Sequence, residues 1–203
     1  MSPILTGVIA SGISGNLTPP WSPEGAYDAL ATITVPSGGL ASVTFTGIPN
    51  TYKHLQIRGI AQDNRATYNT SALVMYINND GGSNYSDHFL QASWVAGATD
   101  TIFGSDASVA NMYWMASITS TVASNVFGGF VIDILDYGNT NKFKTVRSFS
   151  GADANGEVSG FRPVPRLASG NWRNTNAITS IGLATQFGTA ISQNSQFTLY
   201  GVK

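Results

Sequence analysis

The chain has 203 residues, of which 10% are charged, with a net charge of −1 and no cysteine. That length suits one domain with an appendage. The near-neutral balance leaves no electrostatic footprint for nucleic acid or an anionic membrane, and the missing thiols exclude disulfides and thiolate metal sites.

Residues 1–26 read as an N-terminal arm. Ile4, Leu5, Val8, Ile9, Ile13, Leu17 and Trp21 make it apolar, and Glu24 is its one charge. Gly7, Gly12 and Gly15 each cost a helix about 1 kcal/mol, and Pro19, Pro20 and Pro23 force an extended or turning path. Such a segment is expected to order on contact with a partner, so those seven apolar residues are the candidate assembly and attachment residues. The first cation is Lys53, so the arm lacks the basic start of a signal peptide. No apolar run reaches the roughly 18 residues of a membrane span. Synthesis in the cytoplasm without a signal peptide, and no membrane insertion, are expected.

From Tyr27 the hydrophobic period becomes two. Ala29, Ala31, Ile33 and Val35 alternate with Leu30, Thr32 and Thr34, and Pro36-Ser37-Gly38-Gly39 turns the chain toward Val43 and Phe45, which predicts a hairpin. Leu55 to Ala61 and Ala72 to Ile77 follow, the second closed by the turn signal Asn78-Asn79-Asp80-Gly81-Gly82. Tyr85 to Trp94 and Met112 to Ile118 come next. Phe127 to Tyr137 is apolar on both faces, the pattern of a central strand covered on two sides. Phe143 to Phe149, Ile178 to Thr185 and Gln196 to Val202 complete the set. The expected fold of residues 27–203 is all-β, a jelly-roll-like antiparallel β-sandwich of about eight to nine strands. Between them, residues 151–173 carry Pro163, Pro165, Arg162, Arg166, Trp172 and Arg173; a loop of that length is functional or interface-forming.

Chemistry-bearing constellations are sparse. His54 and His88 are the two histidines; neither sits in a nucleophile motif, and the first reads as a rim or packing residue. Asp133 and Asp136 fall on opposite strand faces, so they do not form the convergent pair of a glycosidase. No metal or cofactor is expected. Aromatics at turns and strand ends, among them Tyr85, Trp94, Tyr113, Trp114 and Trp172, fit either a glycan-stacking surface or core filling. The candidate host-surface or interface loop residues are Tyr85, His88, Arg162, Arg166, Trp172 and Arg173.

The segment from Val43 to Arg58 (VTFTGIPNTYKHLQIR) is similar to one common in small structural proteins of tailed bacteriophages, those of cyanophages and other aquatic phages above all. Asn78 to Tyr85, Ile132 to Tyr137, Lys142 to Arg147 and Phe197 to Lys203 match the same pattern, and Ile4 to Ser11 resembles a virion attachment segment. The stretch from Val158 to Asn171 is longer than the pattern leads one to expect. The resemblance implies a virion structural protein without catalytic residues, located in the virion. It implies partners among other virion proteins (fibre, baseplate or capsid), a homotrimer, and a host cell-surface glycan as a possible ligand. A tail fibre component is the leading expectation, a capsid decoration protein the alternative, and a glycan-degrading enzyme a remote third.

Overall fold

The computed structural model describes residues 26–95, 98–153 and 164–203. Among them it forms strands and no helix: β1 (Tyr27–Thr34), β2 (Ser42–Phe45), β3 (His54–Asp63), β4 (Thr70–Ile77), β5 (Tyr85–Val95), β6 (Ala98–Val109), β7 (Met112–Ser120), β8 (Gly128–Leu135), β9 (Lys144–Gly151), β10 (Arg166–Trp172), β11 (Ile181–Thr185) and β12 (Gln196–Val202). The all-β class stands, with twelve strands against the eight to nine expected.

Two antiparallel ladders carry the strands. One runs β1-β12-β3-β8-β9-β10-β5-β6 and the other β2-β11-β4-β7. They join where Gln62 and Asp63, at the end of β3, run parallel to Thr119 and Ser120 of β7. The result is one mixed, unclosed sheet. The hairpin expected at Pro36–Gly39 is absent. The turn itself forms, with the Gly39 N–H donating to the Pro36 carbonyl at 3.1 Å. It is a corner between ladders: β1 pairs β12 while β2 pairs β11. Local turn chemistry sets the reversal but not the partner.

Two strands, β6 and β10, correspond to none of the segments expected from the sequence, and each has a physical reason for escaping a pattern reading. In β6, Ile102, Phe103 and Val109 stand among Thr, Ser, Asp and Gly; it is an edge strand paired with β5 alone, where polar residues are tolerated. In β10 (RLASGNW) the large apolar positions do not alternate, yet it lies between β9 and β5. This corrects the C-terminal part of the expected 151–173 loop; residues 154–163 lie outside the described residues. A Cβ at Gly170 would lie 2.4 Å from Met112 Sδ where β7 crosses, so any larger residue there displaces the Met112 side chain.

One continuous buried cluster joins both ladders. Leu55, Ile57, Ile132, Ile134, Trp172 and Phe197 on the first meet Leu73, Met75, Met112, Met115, Ile118 and Leu183 on the second. Each such side chain contributes about 1.5–3 kcal/mol on burial. β7 is pinned across β9 by polar contacts too: Ser148 Oγ donates to the Met115 carbonyl (2.5 Å), and the Ser117 N–H donates to Ser150 Oγ (2.8 Å). β8 is central, as expected, but only one of its apolar faces is covered. Phe130, Ile132 and Ile134 are buried, whereas Val131 and Leu135 on the opposite face are half-buried.

Candidate functional site: an aromatic–arginine cleft and an open apolar row

The register of β4 on β7 slips between Leu73 and Met75, whose partners are Ala116 and Met112. Trp114 sits in that bulge at φ +60°, a left-handed conformation uncommon for a bulky side chain. The bulge is held from β5, where Asp87 Oδ2 accepts the Tyr113 N–H at 2.8 Å. Its indole then lies 5.3 Å from the Phe89 ring and 5.4 Å from the Phe187 ring. These rings, with Arg65, Tyr68 and Arg166, wall a cleft of about 470 Å³. None of the described residues lining it is acidic.

Arg166, the first residue of β10, is 3% exposed. Its Nε and Nη2 both donate to Gln91 Oε1, at 2.9 and 2.5 Å. Its guanidinium carbon lies 4.9 Å from the Trp114 ring centroid and 5.4 Å from that of Phe89. Its Nη1 is buried with no hydrogen-bond partner. Burial pushes the guanidinium down to about 10, still protonated at neutral pH. At the rim, Arg65 stacks between Tyr68 (4.5 Å) and Phe187 (4.4 Å), and its Nη1 donates to the Thr70 carbonyl. The arrangement can accept an anionic group against apolar ring faces.

A second feature lies on the outer face of the first ladder. Register aligns Val131, Phe149, Leu167, Leu90 and Phe103 in one row across β8, β9, β10, β5 and β6. At about 4.8 Å per strand the row is roughly 19 Å long. Phe103 is 81% exposed, Phe149 60%, Leu167 54% and Leu90 46%. The row on one side is polar: Asp133, Arg147, Ser169, His88 and Ser105. There Arg147 Nε donates to Asp133 Oδ2 at 3.2 Å. Single exposed apolar residues are ordinary, but a contiguous apolar stripe of large side chains marks an interaction surface.

The structure redistributes the residues singled out in the sequence. Tyr85, His88, Arg166 and Trp172 are strand residues rather than loop residues. Tyr85 and Trp172 are buried in the core, which corrects their expected display in loops. Burial pushes the Tyr85 hydroxyl up to about 12; it donates to the Ile77 and Asp80 carbonyls. Trp172 Nε1 donates to Asp80 Oδ2 (2.8 Å), the first cause of that carboxyl's lowered pKa. His88 is exposed beside the apolar row. Arg173 follows β10 at the surface and donates from Nη2 to Ser108 Oγ at 3.0 Å. Ile4, Leu5, Val8, Ile9, Ile13, Leu17, Trp21 and Arg162 lie outside the described residues. Of the expected loop residues that are described, only Arg166 lines the cleft. Phe89, Phe187, Arg65 and Tyr68 were not singled out, and nothing in their local sequence marks them.

No protein-family profile matches the sequence, and no curated protein matches it. Among solved structures, a weak match is the CBM2 module of the evolved Dit of Lactobacillus casei BL23 phage J-1. The identity is 10%, the match covers 80% of this chain and 69% of that one, and the TM-score is 0.16. A match at that TM-score carries no argument about fold or function.

Proposed function

We propose that this protein is a non-enzymatic structural component of a tailed-phage virion, fibre-like, whose copies associate through the open apolar row. The sequence resemblance supports the phage origin. The single observation that carries the assembly role is the five-strand row Val131–Phe149–Leu167–Leu90–Phe103, with four large side chains in water. The two packed ladders support reading the domain as a jelly-roll-like β-sandwich.

The occupant of the row is a second copy of this chain, with its arm supplying the covering surface. Residues 1–25 carry eight large apolar side chains, Met1 included, and one charge, a composition that matches an apolar stripe and not the polar row beside it. An extended segment of that length reaches up to about 80 Å. The row spans about 19 Å, so a neighbour's arm can lie along it. A homotrimer closes such a head-to-tail contact as a ring.

Sedimentation velocity tests the assembly. The full chain is expected to run as a trimer, and both Leu167→Glu and deletion of residues 1–25 as monomers. A monomeric full chain, or a trimer that survives Leu167→Glu, would contradict the reading. Densitometry of purified virions then separates the stations on the particle. A copy number equal to that of the major capsid protein favours capsid decoration over a fibre.

A further inference from the structure

We infer that the cleft between β5, β7 and β10 binds a carboxylated saccharide, its carboxylate on Arg166 and the C–H face of its ring on Trp114 and Phe187. The place of that ligand on a glycan-coated host rests on the virion reading; the ligand class rests on the cleft alone.

Three independent observations converge on the site. The first is the orphan donor. Arg166 is 3% exposed, its Nη1 has no partner, and no acid lines the cleft among the described residues. A buried cation without an anion is costly, and a buried polar atom without a partner marks either strain or a missing group. A carboxylate supplies the missing group, since hydrogen bonds between guanidinium and carboxylate are the charge-assisted kind.

The second observation is the backbone. Trp114 holds a left-handed conformation at φ +60°. Residues held in such regions cluster at ligand-binding sites, where surrounding structure fixes them. Here the Asp87 contact to the Tyr113 N–H does so, and the consequence is an indole placed in the cleft wall instead of the core.

The third observation is shape and lining. About 470 Å³ falls within the roughly 300–1,000 Å³ of small-ligand sites, which pair apolar walls with a few placed polar groups. The Trp114 and Phe187 rings touch, 5.4 Å between centroids and tilted 55°, and so form one bent aromatic wall against which the C–H face of a pyranose can lie. The free Arg166 nitrogen at depth pairs with one carboxylate oxygen, and with Arg65 at the rim a phosphate is the competing anion that the titration separates.

Calorimetric titration of the full chain tests the inference, with digalacturonic acid and 3′-sialyllactose as acidic probes. Digalacturonic acid dimethyl ester, lactose and inorganic phosphate are the controls. At least one acidic probe is expected to bind at least tenfold more tightly than its neutral counterpart and than phosphate. Arg166→Gln should abolish that tenfold preference. Phe187→Ala, a change at a 42% exposed ring, should weaken the acidic probe several-fold, and this variant decides the matter if Arg166→Gln does not fold. Equal affinity for acid and neutral partner, phosphate binding as tight as the acid, an acid preference that survives Arg166→Gln, or no binding by either acid would overturn the inference. None of those outcomes moves the sedimentation result, so the two proposals fail separately.

Discussion

Lys144 and Arg166 are buried cations at opposite ends of the same β9–β10 pairing, and they are treated in opposite ways. Lys144 is fully buried, and its Nζ donates to three carbonyls, those of Asn139 (2.5 Å), Lys142 (3.1 Å) and Thr175 (3.0 Å). Every proton of the ammonium has an acceptor, and the chain before β9 is tied to the chain after β10. Arg166 has one acceptor, Gln91 Oε1, an orphan Nη1, and a guanidinium carbon 4.9 Å from the Trp114 ring centroid. Neither cation has a carboxylate partner among the described residues. The difference teaches how to sort buried charge: one that is fully satisfied from within is structural, and one left short in a cleft has room for a ligand.

Substitution should separate the two cations. Lys144→Met leaves three carbonyls without their donor, and desolvated acceptors cost about 1–3 kcal/mol each. A loss of about 3 kcal/mol or more is expected in urea denaturation, and a loss below about 1 kcal/mol would end the structural reading of Lys144.

Asp87 supplies a third buried charge, of the opposite sign, handled by neutralisation. It is 1% exposed, its Oδ1 has no partner, and burial pushes the carboxyl up to about 7. The Tyr113 N–H opposes that shift, and Asp106, its cross-strand partner, adds to it. The folded pKa lies above the unfolded value of 3.8. The contribution of Asp87 to stability is therefore fully present below about pH 4, falls as pH rises, and is lost once pH passes about 7. Asp87→Asn should gain up to about 2 kcal/mol near pH 8 and nothing near pH 3.5. Paired denaturation curves at the two pH values check this, and a gain of equal size at both would contradict the sign.

Arg166→Leu gives the smallest expected change in stability, within about 1 kcal/mol in either direction. It removes a guanidinium that lacks an internal anion, and replacing buried charge by apolar volume is often neutral or stabilising. A loss comparable to that of Lys144→Met would make Arg166 structural as well and erase the contrast.

The sequence carried part of this account openly. Period-two alternation and turn residues located most strands, because a strand half-covered by a core must alternate. β10 escaped because its buried face carries small residues: Ala168 and Gly170 lie on it, with Gly170 against the Met112 and Met115 side chains, and small residues leave no hydrophobic period. The apolar row was beyond reach for another reason. Leu90 and Phe103 stand on β5 and β6, Phe149 and Leu167 on β9 and β10; the two pairs are well separated in sequence and meet only through cross-strand register. Of the cleft, Arg166 was singled out for its charge and Trp114 for its ring, but their meeting depends on the β7 bulge, which no local residue pattern announces. Lys144 reads locally as an ordinary surface lysine at a strand start; its three acceptors lie on two separate loops.

Side-chain NMR of the full chain, with nitrogen-15 in its arginines and lysines, tests the contrast most directly during titration with digalacturonic acid or 3′-sialyllactose. The account predicts that the Arg166 Nη resonance shifts as the acidic saccharide saturates, while the Lys144 Nζ signal does not move. An Arg166 signal unmoved by either acidic saccharide would contradict it.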